Sequence, residues 1–130
     1  YYDCITFHRV SKGFVIQGGD PTGTGSGGES AFGKDFADEL NPNTPSGKAG
    51  YKKGVLAMAN RGDNTNSSQF FIMLDDAPQM PFKYTIFGKV VSGLDVVDKI
   101  GQVAIVPQMS PTDGAPKEKV TITKATVSSK

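Results

Sequence analysis

Short apolar runs recur along the chain between stretches rich in glycine and proline. Runs of this kind, bounded by turn residues, are typical of β-strands. In the last run Val120 and Ile122 alternate with Thr121 and Thr123, which indicates one buried and one wetter face. Residues 70–74 are apolar throughout, as in a strand buried on both sides. The pattern predicts strands over residues 5–10, 14–17, 54–59, 69–74, 85–91 and 120–127.

One segment has helical spacing instead. Ser92 is a candidate N-cap, Asp95 follows three residues later, and Leu94, Val97 and Ile100 repeat at helical intervals. This pattern predicts a short helix over residues 93–100.

The connections between these elements are long and polar. Several short strands with one helix favour a mainly β fold, a closed antiparallel barrel rather than a parallel sheet, in a single domain over residues 1–130. The predicted loops cover residues 20–35, 41–53 and 107–119.

The composition argues against several classes of function. The net charge is +1 and no basic stripe is present, so we expect no nucleic-acid partner. No apolar run approaches the ~18 residues of a membrane span, so we expect no membrane partner. No secretory signal is visible, and we expect a cytoplasmic location. Cys4 and His8 are the only cysteine and histidine, so we expect no disulfide, no metal site and no cofactor.

Some segments match known functional motifs, but a simpler explanation is favoured for each of them. Residues 23–28 match G-x-G-x-x-G, but no helical pattern follows, which favours a loop that needs backbone freedom over a nucleotide site. The sequon at residues 66–68 and the Arg-Gly-Asp triplet at residues 61–63 are short enough to arise by chance. His8 faces away from Arg9 on an alternating strand, so a structural role is favoured over that of a general base.

The strongest chemical signal is Arg9, at the end of the first strand, with Gln17 at the end of the second. A guanidinium is always charged and presents a rigid fork of donors. On a mostly apolar surface it could polarise an amide bond without proton transfer. The polar stretch that follows the third strand brings Asn60 and Phe71 to the ends of neighbouring strands.

These residues occur within a colinear set of segments that resembles the cyclophilins, the peptidyl-prolyl cis/trans isomerases. The glycine run at residues 19–25 is similar to that of bacterial, archaeal and spliceosome-associated branches. The resemblance implies an eight-stranded antiparallel β-barrel capped by helices, of which about six strands are recognisable here, with a substrate groove on its outer face. The matching segments are Phe7-His8-Arg9-Val10, Phe14-Val15-Ile16-Gln17-Gly18-Gly19-Asp20, Gly27-Gly28, Met58-Ala59-Asn60, Ser68-Gln69-Phe70-Phe71-Ile72 and Phe87-Gly88-Lys89-Val90.

The resemblance implies an enzyme that accelerates X-Pro rotation in peptides and unfolded proteins and assists folding, as a chaperone does. Arg9 is then the catalytic residue. The proline pocket is implied to consist of Phe14, Val15, Phe71 and Met80, with Tyr84 at its rim. Gln17 and the backbone of Asn60 bind the substrate main chain. The residues bordering the groove are Gly25, Ala59, Arg61, Gln69 and Gln79. The alternative is a non-catalytic module that binds proline-containing peptides.

The chain also departs from the family pattern. The family often has Trp at Gln79, Leu at Met80 and His at Tyr84, and usually a small residue at Arg61. The loss of Trp at Gln79 predicts weak cyclosporin binding. Arg61 is expected to narrow the neighbouring subsite or to favour acidic residues there.

The family normally has two strands and a helix before the equivalent of Tyr1. Either further residues precede Tyr1, or another segment fills their place, or the fold is altered. Without them residues 120–127 would form an open edge. With a complete barrel we expect a monomer.

Overall fold

The computed structural model describes residues 1–129, which form seven strands and two helices. The elements are β1 Arg9–Ser11, β2 Val15–Gly18, α1 Pro45–Ala49, β3 Val55–Met58, β4 Phe70–Met73, β5 Ile86–Lys89, α2 Leu94–Gly101, β6 Ile105–Ser110 and β7 Asp113–Pro116. The strands pair antiparallel in one sheet, in the order β5-β3-β4-β2-β1-β7-β6. The prediction of a mainly β, antiparallel fold is therefore confirmed.

The main core lies on one face of this sheet. Val10, Ile16 and Ile72 are cross-strand partners on β1, β2 and β4, and they pack with Val97 of α2 and with Ile105. Burying each such side chain stabilises the fold by roughly 1.5–3 kcal/mol. Because side chains alternate along a strand, the neighbours of these residues point to the opposite face.

Helix α2 forms where the apolar spacing predicts it, but its start differs from the prediction. Gly93, with φ of 83°, precedes the helix and no side chain caps it, so the predicted Ser92 cap is wrong. At the other end, a Cβ on Gly101 would lie 2.8 Å from Leu74 Cδ2. The glycine thus allows α2 to approach the end of β4 closely.

The segment predicted as a loop over residues 107–119 contains most of the β6–β7 hairpin. Pro107 and Pro116 argue against strands in the sequence, since proline cannot donate to a ladder. β6 is the last strand in the sheet order, a position where proline is tolerated. The register of the hairpin also shifts between Pro107 and Ser110.

The strand predicted over residues 120–127 is wrong. Thr121 forms only an isolated bridge with Thr6, beside hydrogen bonds from Cys4 N to Ile122 O (2.7 Å) and from Phe7 N to Val120 O (2.9 Å). The ladder stops at Cys4, whose φ of 66° lies outside the extended region. The alternating Val and Thr residues therefore give a short pairing with residues 4–7 rather than a full strand.

The predicted loop over residues 41–53 also contains α1, a helix of a single turn. Thr44 caps it by accepting a hydrogen bond from Gly47 N at 3.0 Å, and Pro45 occupies the first turn. Five residues are too few to show a helical period. Neither helix of residues 1–129 is long and apolar enough to cross a bilayer.

Candidate functional site

The face of the sheet opposite α2 carries a row of cross-strand partners with contrasting chemistry. Arg9 on β1 is paired with Gln17 on β2, Gln17 with Phe71 on β4, and Phe71 with Ala57 on β3. Strand register thus places a cation, an amide and an aromatic ring side by side, as the sequence predicts for Arg9, Gln17 and Phe71.

An apolar cluster lies at one end of this row. Val15 and Phe71 are almost fully buried, at 2% and 4% exposure, and form its floor. Half-buried Phe14, Met80 and Tyr84 pack against them, and the rings of Phe71 and Tyr84 meet edge to face at 5.5 Å. Half-buried aromatic and thioether side chains over an apolar floor are suited to hold a small apolar ring. The cluster includes every residue predicted for the proline pocket, together with Tyr51, Val55, Ala57, Ala59, Met73, Ala77, Phe82 and Ile86.

A chain of hydrogen bonds connects the polar members of the site. Arg9 Nη1 donates to Gln17 Oε1 at 2.9 Å, and Gln17 Nε2 donates to Gln69 Oε1 at 3.0 Å. Gln69 Nε2 then donates to the carbonyls of Gly25 (2.9 Å) and Gly27 (2.8 Å). The predicted residues Arg9, Gln17, Gln69 and Gly25 therefore form one continuous network beside the apolar cluster.

Asp113 is a member of this network that the sequence does not reveal. Arg9 Nε donates to Asp113 Oδ1 at 3.0 Å and Arg9 Nη2 donates to Oδ2 at 2.8 Å. Hydrogen bonds from Arg9 hold the pKa of Asp113 below its ordinary value, against the opposing effect of burial. Asp113 lies within the hairpin that sequence patterning assigns to a loop, and no motif marks it.

The glycine-rich loop is organised around Asp20, which is 1% exposed. Its carboxylate accepts hydrogen bonds from the backbone amides of Thr22 (2.8 Å), Gly25 (2.7 Å) and Gly27 (3.1 Å). Burial alone would raise the pKa of Asp20, but these bonds and one from the Thr22 hydroxyl outweigh it and hold that pKa well below its usual range. The amides that would bind a phosphate in a nucleotide loop are thus bound to a carboxylate.

Replacing Asp20 with asparagine should destabilise the fold by about 2 kcal/mol at pH 7, because several amides would lose a charged acceptor. The native pKa is depressed, so the carboxylate stabilises the fold above its unfolded pKa of about 4. That contribution is lost as pH falls towards the native pKa, and the difference between wild type and Asp20→Asn should narrow. Urea unfolding at pH 7 and pH 3 measures this, with exposed Asp63→Asn as the matched control. A gap that stays constant with pH would contradict the assignment.

Several predicted groove residues surround a small cavity of about 50 Å³ next to the Gln69 amide. The exposed Arg61 forms an ion pair with Asp35 at its edge. Asn60 Nδ2 donates to Lys83 O at 2.9 Å, and within residues 1–129 no hydrogen bond involves the Asn60 main chain. The cavity is lined by Gly25, Ser26, Ala59, Asn60, Arg61, Thr65, Ser67 and Gln69.

Gln79 lies exposed in the connection between β4 and β5. Over the part of the chain that the structure describes, it joins neither the apolar cluster nor the hydrogen-bonded network. The place of Gln79 at the groove edge therefore stays a prediction.

Two other candidates lie outside the chemistry of the site. Asn66 of the sequon is fully buried and donates to Asp38 Oδ1 at 2.9 Å, so folding hides it from modification. His8 packs against the loop at Gly25, and burial lowers its pKa, which keeps the ring neutral at pH 7. Among residues 1–129 no group of three or more His, Cys, Asp or Glu side chains is arranged to hold a metal ion.

The chain is similar to a known family over nearly its whole length. The family model described as cyclophilin type peptidyl-prolyl cis-trans isomerase/CLD matches residues 1–127. A peptidyl-prolyl cis-trans isomerase of Arabidopsis thaliana is 52% identical over 103 residues, covering 79% of this chain. The peptidyl-prolyl cis-trans isomerase-like 1 of Neurospora crassa is 49% identical over 129 residues, covering 98% of this chain and 72% of the relative. The chain spans 60% of the length of the Arabidopsis protein.

A solved structure also resembles the fold throughout. The cyclophilin type peptidyl-prolyl cis-trans isomerase of Cryptosporidium parvum, crystallised in the presence of the dipeptide Ala-Pro, superimposes with a TM-score of 0.85 at 38% identity. The match covers 100% of this chain and 78% of that structure. The fold class predicted from the family resemblance is thereby confirmed.

Proposed function

The chain belongs to the cyclophilin-type peptidyl-prolyl cis-trans isomerase family, and from that premise we propose that it accelerates rotation about X-Pro peptide bonds. The observation that carries the proposal is the position of Arg9. Its guanidinium keeps one unbonded N–H on each of Nη1 and Nη2, and it lies in the same cross-strand row as Phe71 of the apolar cluster. The related Cryptosporidium enzyme was crystallised with a proline dipeptide, which agrees with a proline substrate here.

The reaction requires no bond to break. Resonance opposes rotation about an amide bond by ~18–20 kcal/mol, and an X-Pro bond interconverts over roughly tens to hundreds of seconds. In the twisted transition state the prolyl nitrogen regains a lone pair. An N–H of Arg9 directed at that nitrogen stabilises the twisted state more than either planar isomer, so it lowers the barrier. Each ~1.4 kcal/mol removed increases the rate tenfold.

The remaining predicted residues hold the peptide while it rotates. Phe14, Met80 and Tyr84 are half-buried and can contact the proline ring against the floor of Phe71. Gln17 donates to Gln69 and accepts from Arg9, and it retains a second amide N–H and a second lone pair for the substrate backbone. The unbonded main chain of Asn60 supplies the other backbone contact.

The test is the return to equilibrium of an Ala-Pro peptide whose cis population has been raised in a dry organic solvent. After dilution into buffer, the relaxation rate should rise in proportion to the concentration of the chain. An unchanged rate, with the peptide bound, would instead favour the non-catalytic peptide-binding module.

Cyclosporin should bind weakly, because Gln79 offers neither an indole donor nor a large apolar face at the groove edge. Gln79→Trp should then tighten binding by at least about tenfold, or ~1.4 kcal/mol, through one hydrogen bond and added apolar contact. A fluorescence or calorimetric titration measures both affinities. Gln102→Trp, on an exposed residue after α2, is the matched control. Tight binding by the wild-type chain would contradict the role given to Gln79.

Arg61 is proposed to narrow the neighbouring subsite rather than to attract acidic residues, since its charge is already paired with Asp35.

Unfolded proteins as substrates, a cytoplasmic location and a monomeric state stay predictions. The single free Cys4 agrees with a reducing compartment.

A further inference from the structure

The contact between Arg9 and Asp113 is bidentate. Both carboxylate oxygens are used, at 3.0 Å from Nε and 2.8 Å from Nη2. A pair of parallel bonds along one edge of the guanidinium fixes its plane as well as its position. The Asp113 side chain is 12% exposed and the Arg9 side chain 30%, so solvent competes weakly for the carboxylate and the guanidinium keeps an open side.

The fold delivers Asp113 to this position through strand register. β7 pairs with β1 so that Asp113 lies opposite Ser11 and Gly114 opposite Val10. Asp113 is therefore diagonal to Arg9 on the same face of the sheet, a separation that a long side chain can span. A Cβ on Gly114 would collide with the carbonyl of Val106, so a glycine is needed for β6 and β7 to come this close.

The opposite side of the guanidinium is held by Gln17, which accepts from Nη1 at 2.9 Å. Between the carboxylate and the amide, the guanidinium has one orientation, in which the unbonded N–H groups belong to Nη1 and Nη2. A free arginine samples many rotamers, and in most of them these groups would not be directed at a bound substrate. Any group that removes this freedom increases the fraction of molecules ready to stabilise the twisted amide.

We propose that Asp113 is a positioning residue for catalysis, which holds the Arg9 guanidinium so that its free Nη N–H groups face the prolyl nitrogen. This proposal rests on the proposed isomerase function. Because Arg9 acts mainly on the twisted state, loss of Asp113 should lower kcat and leave KM nearly unchanged.

The experiment compares Asp113→Ala and Asp113→Asn with the wild-type chain in a prolyl-peptide assay that resolves kcat from KM. Asp113→Ala should lose about tenfold in kcat through misdirection of the donor. Asp113→Asn keeps one acceptor oxygen for Nε and should lose less, by about threefold. Asp98 lies on α2 and forms an exposed ion pair with Lys53. Asp98→Ala removes this ion pair and should match wild type. Unchanged or increased kcat in the Asp113 variants would overturn the proposal; an increase would mean that the carboxylate only weakens the charge of Arg9.

A spectroscopic measurement separates positioning from a purely structural role. The Nε–H resonance of Arg9 should be resolved and slow to exchange with solvent in the wild-type chain, weakened in Asp113→Asn and lost in Asp113→Ala. If Asp113→Ala does not fold, Asp113→Asn decides, since wild-type kcat in that variant contradicts positioning. An inactive wild-type chain overturns the proposed isomerase function instead, so the two failures are distinct.

Discussion

Replacing Arg9 with alanine is expected to lower kcat/KM for prolyl isomerisation by about 100- to 1,000-fold, the usual cost of removing a preorganised donor to developing charge. The apolar cluster and the Gln17 amide would remain, so the variant should still bind proline-containing peptides. The measurement is the catalysed rate for an Ala-Pro peptide, together with the peptide dissociation constant from a titration.

Two controls separate chemistry from folding. Arg9→Ala leaves the carboxylate of Asp113 buried and unpaired, which is destabilising in itself. The double variant Arg9→Ala, Asp113→Asn removes that charge and should remain equally inactive. Lys12→Ala removes an exposed cation next to β1 and should match wild type. A rate for Arg9→Ala within a few-fold of wild type, in a folded protein, would rule out the catalytic role.

Phe71→Ala is expected to abolish measurable peptide binding and to destabilise the fold by about 3–5 kcal/mol. Phe71 is 4% exposed, it forms the floor of the apolar cluster together with Val15, and it lies between Gln17 and Ala57 in the cross-strand row. Loss of the ring therefore removes the surface for proline and leaves a cavity in the sheet. Thermal unfolding measures the loss of stability, and a peptide titration performed well below the unfolding temperature measures the loss of binding.

Ile72→Ala is the matched control for this variant. Ile72 is the next residue on the same strand, 8% exposed, but it faces α2 and the main core. Its truncation should cost about 2–5 kcal/mol, while activity per folded molecule is retained. If Phe71→Ala and Ile72→Ala reduce peptide binding equally, the apolar cluster is not the proline site.

The site was predictable to the extent that it depends on strand ends and alternation. Arg9, Gln17 and Phe71 lie at or near the ends of strands that the sequence predicts, and the register found in the structure makes them neighbours. The same register brings Val10, Ile16 and Ile72, at the alternate positions, together in the main core. The predicted apolar pocket residues also come together in one cluster.

The parts that were not predictable depend on contacts distant in sequence. Asp113 lies 104 residues from Arg9, in a hairpin whose three prolines argue against strands. Residues 120–127 have a strand-like composition, but pairing with residues 4–7 ends where the backbone turns at Cys4. Helix α1 is stabilised by a cap and a proline, and its five residues are too few to show a helical repeat in the sequence.

Catalysis by Arg9 can be observed by two-dimensional NMR exchange spectroscopy on an Ala-Pro peptide mixed with a small fraction of the wild-type chain. Exchange between cis and trans signals, normally slower than seconds, should become measurable and scale with protein concentration, and Arg9→Ala should eliminate it. Peptide signals that shift on binding while cis–trans exchange stays at the uncatalysed rate would contradict catalysis by Arg9 and identify a peptide-binding module.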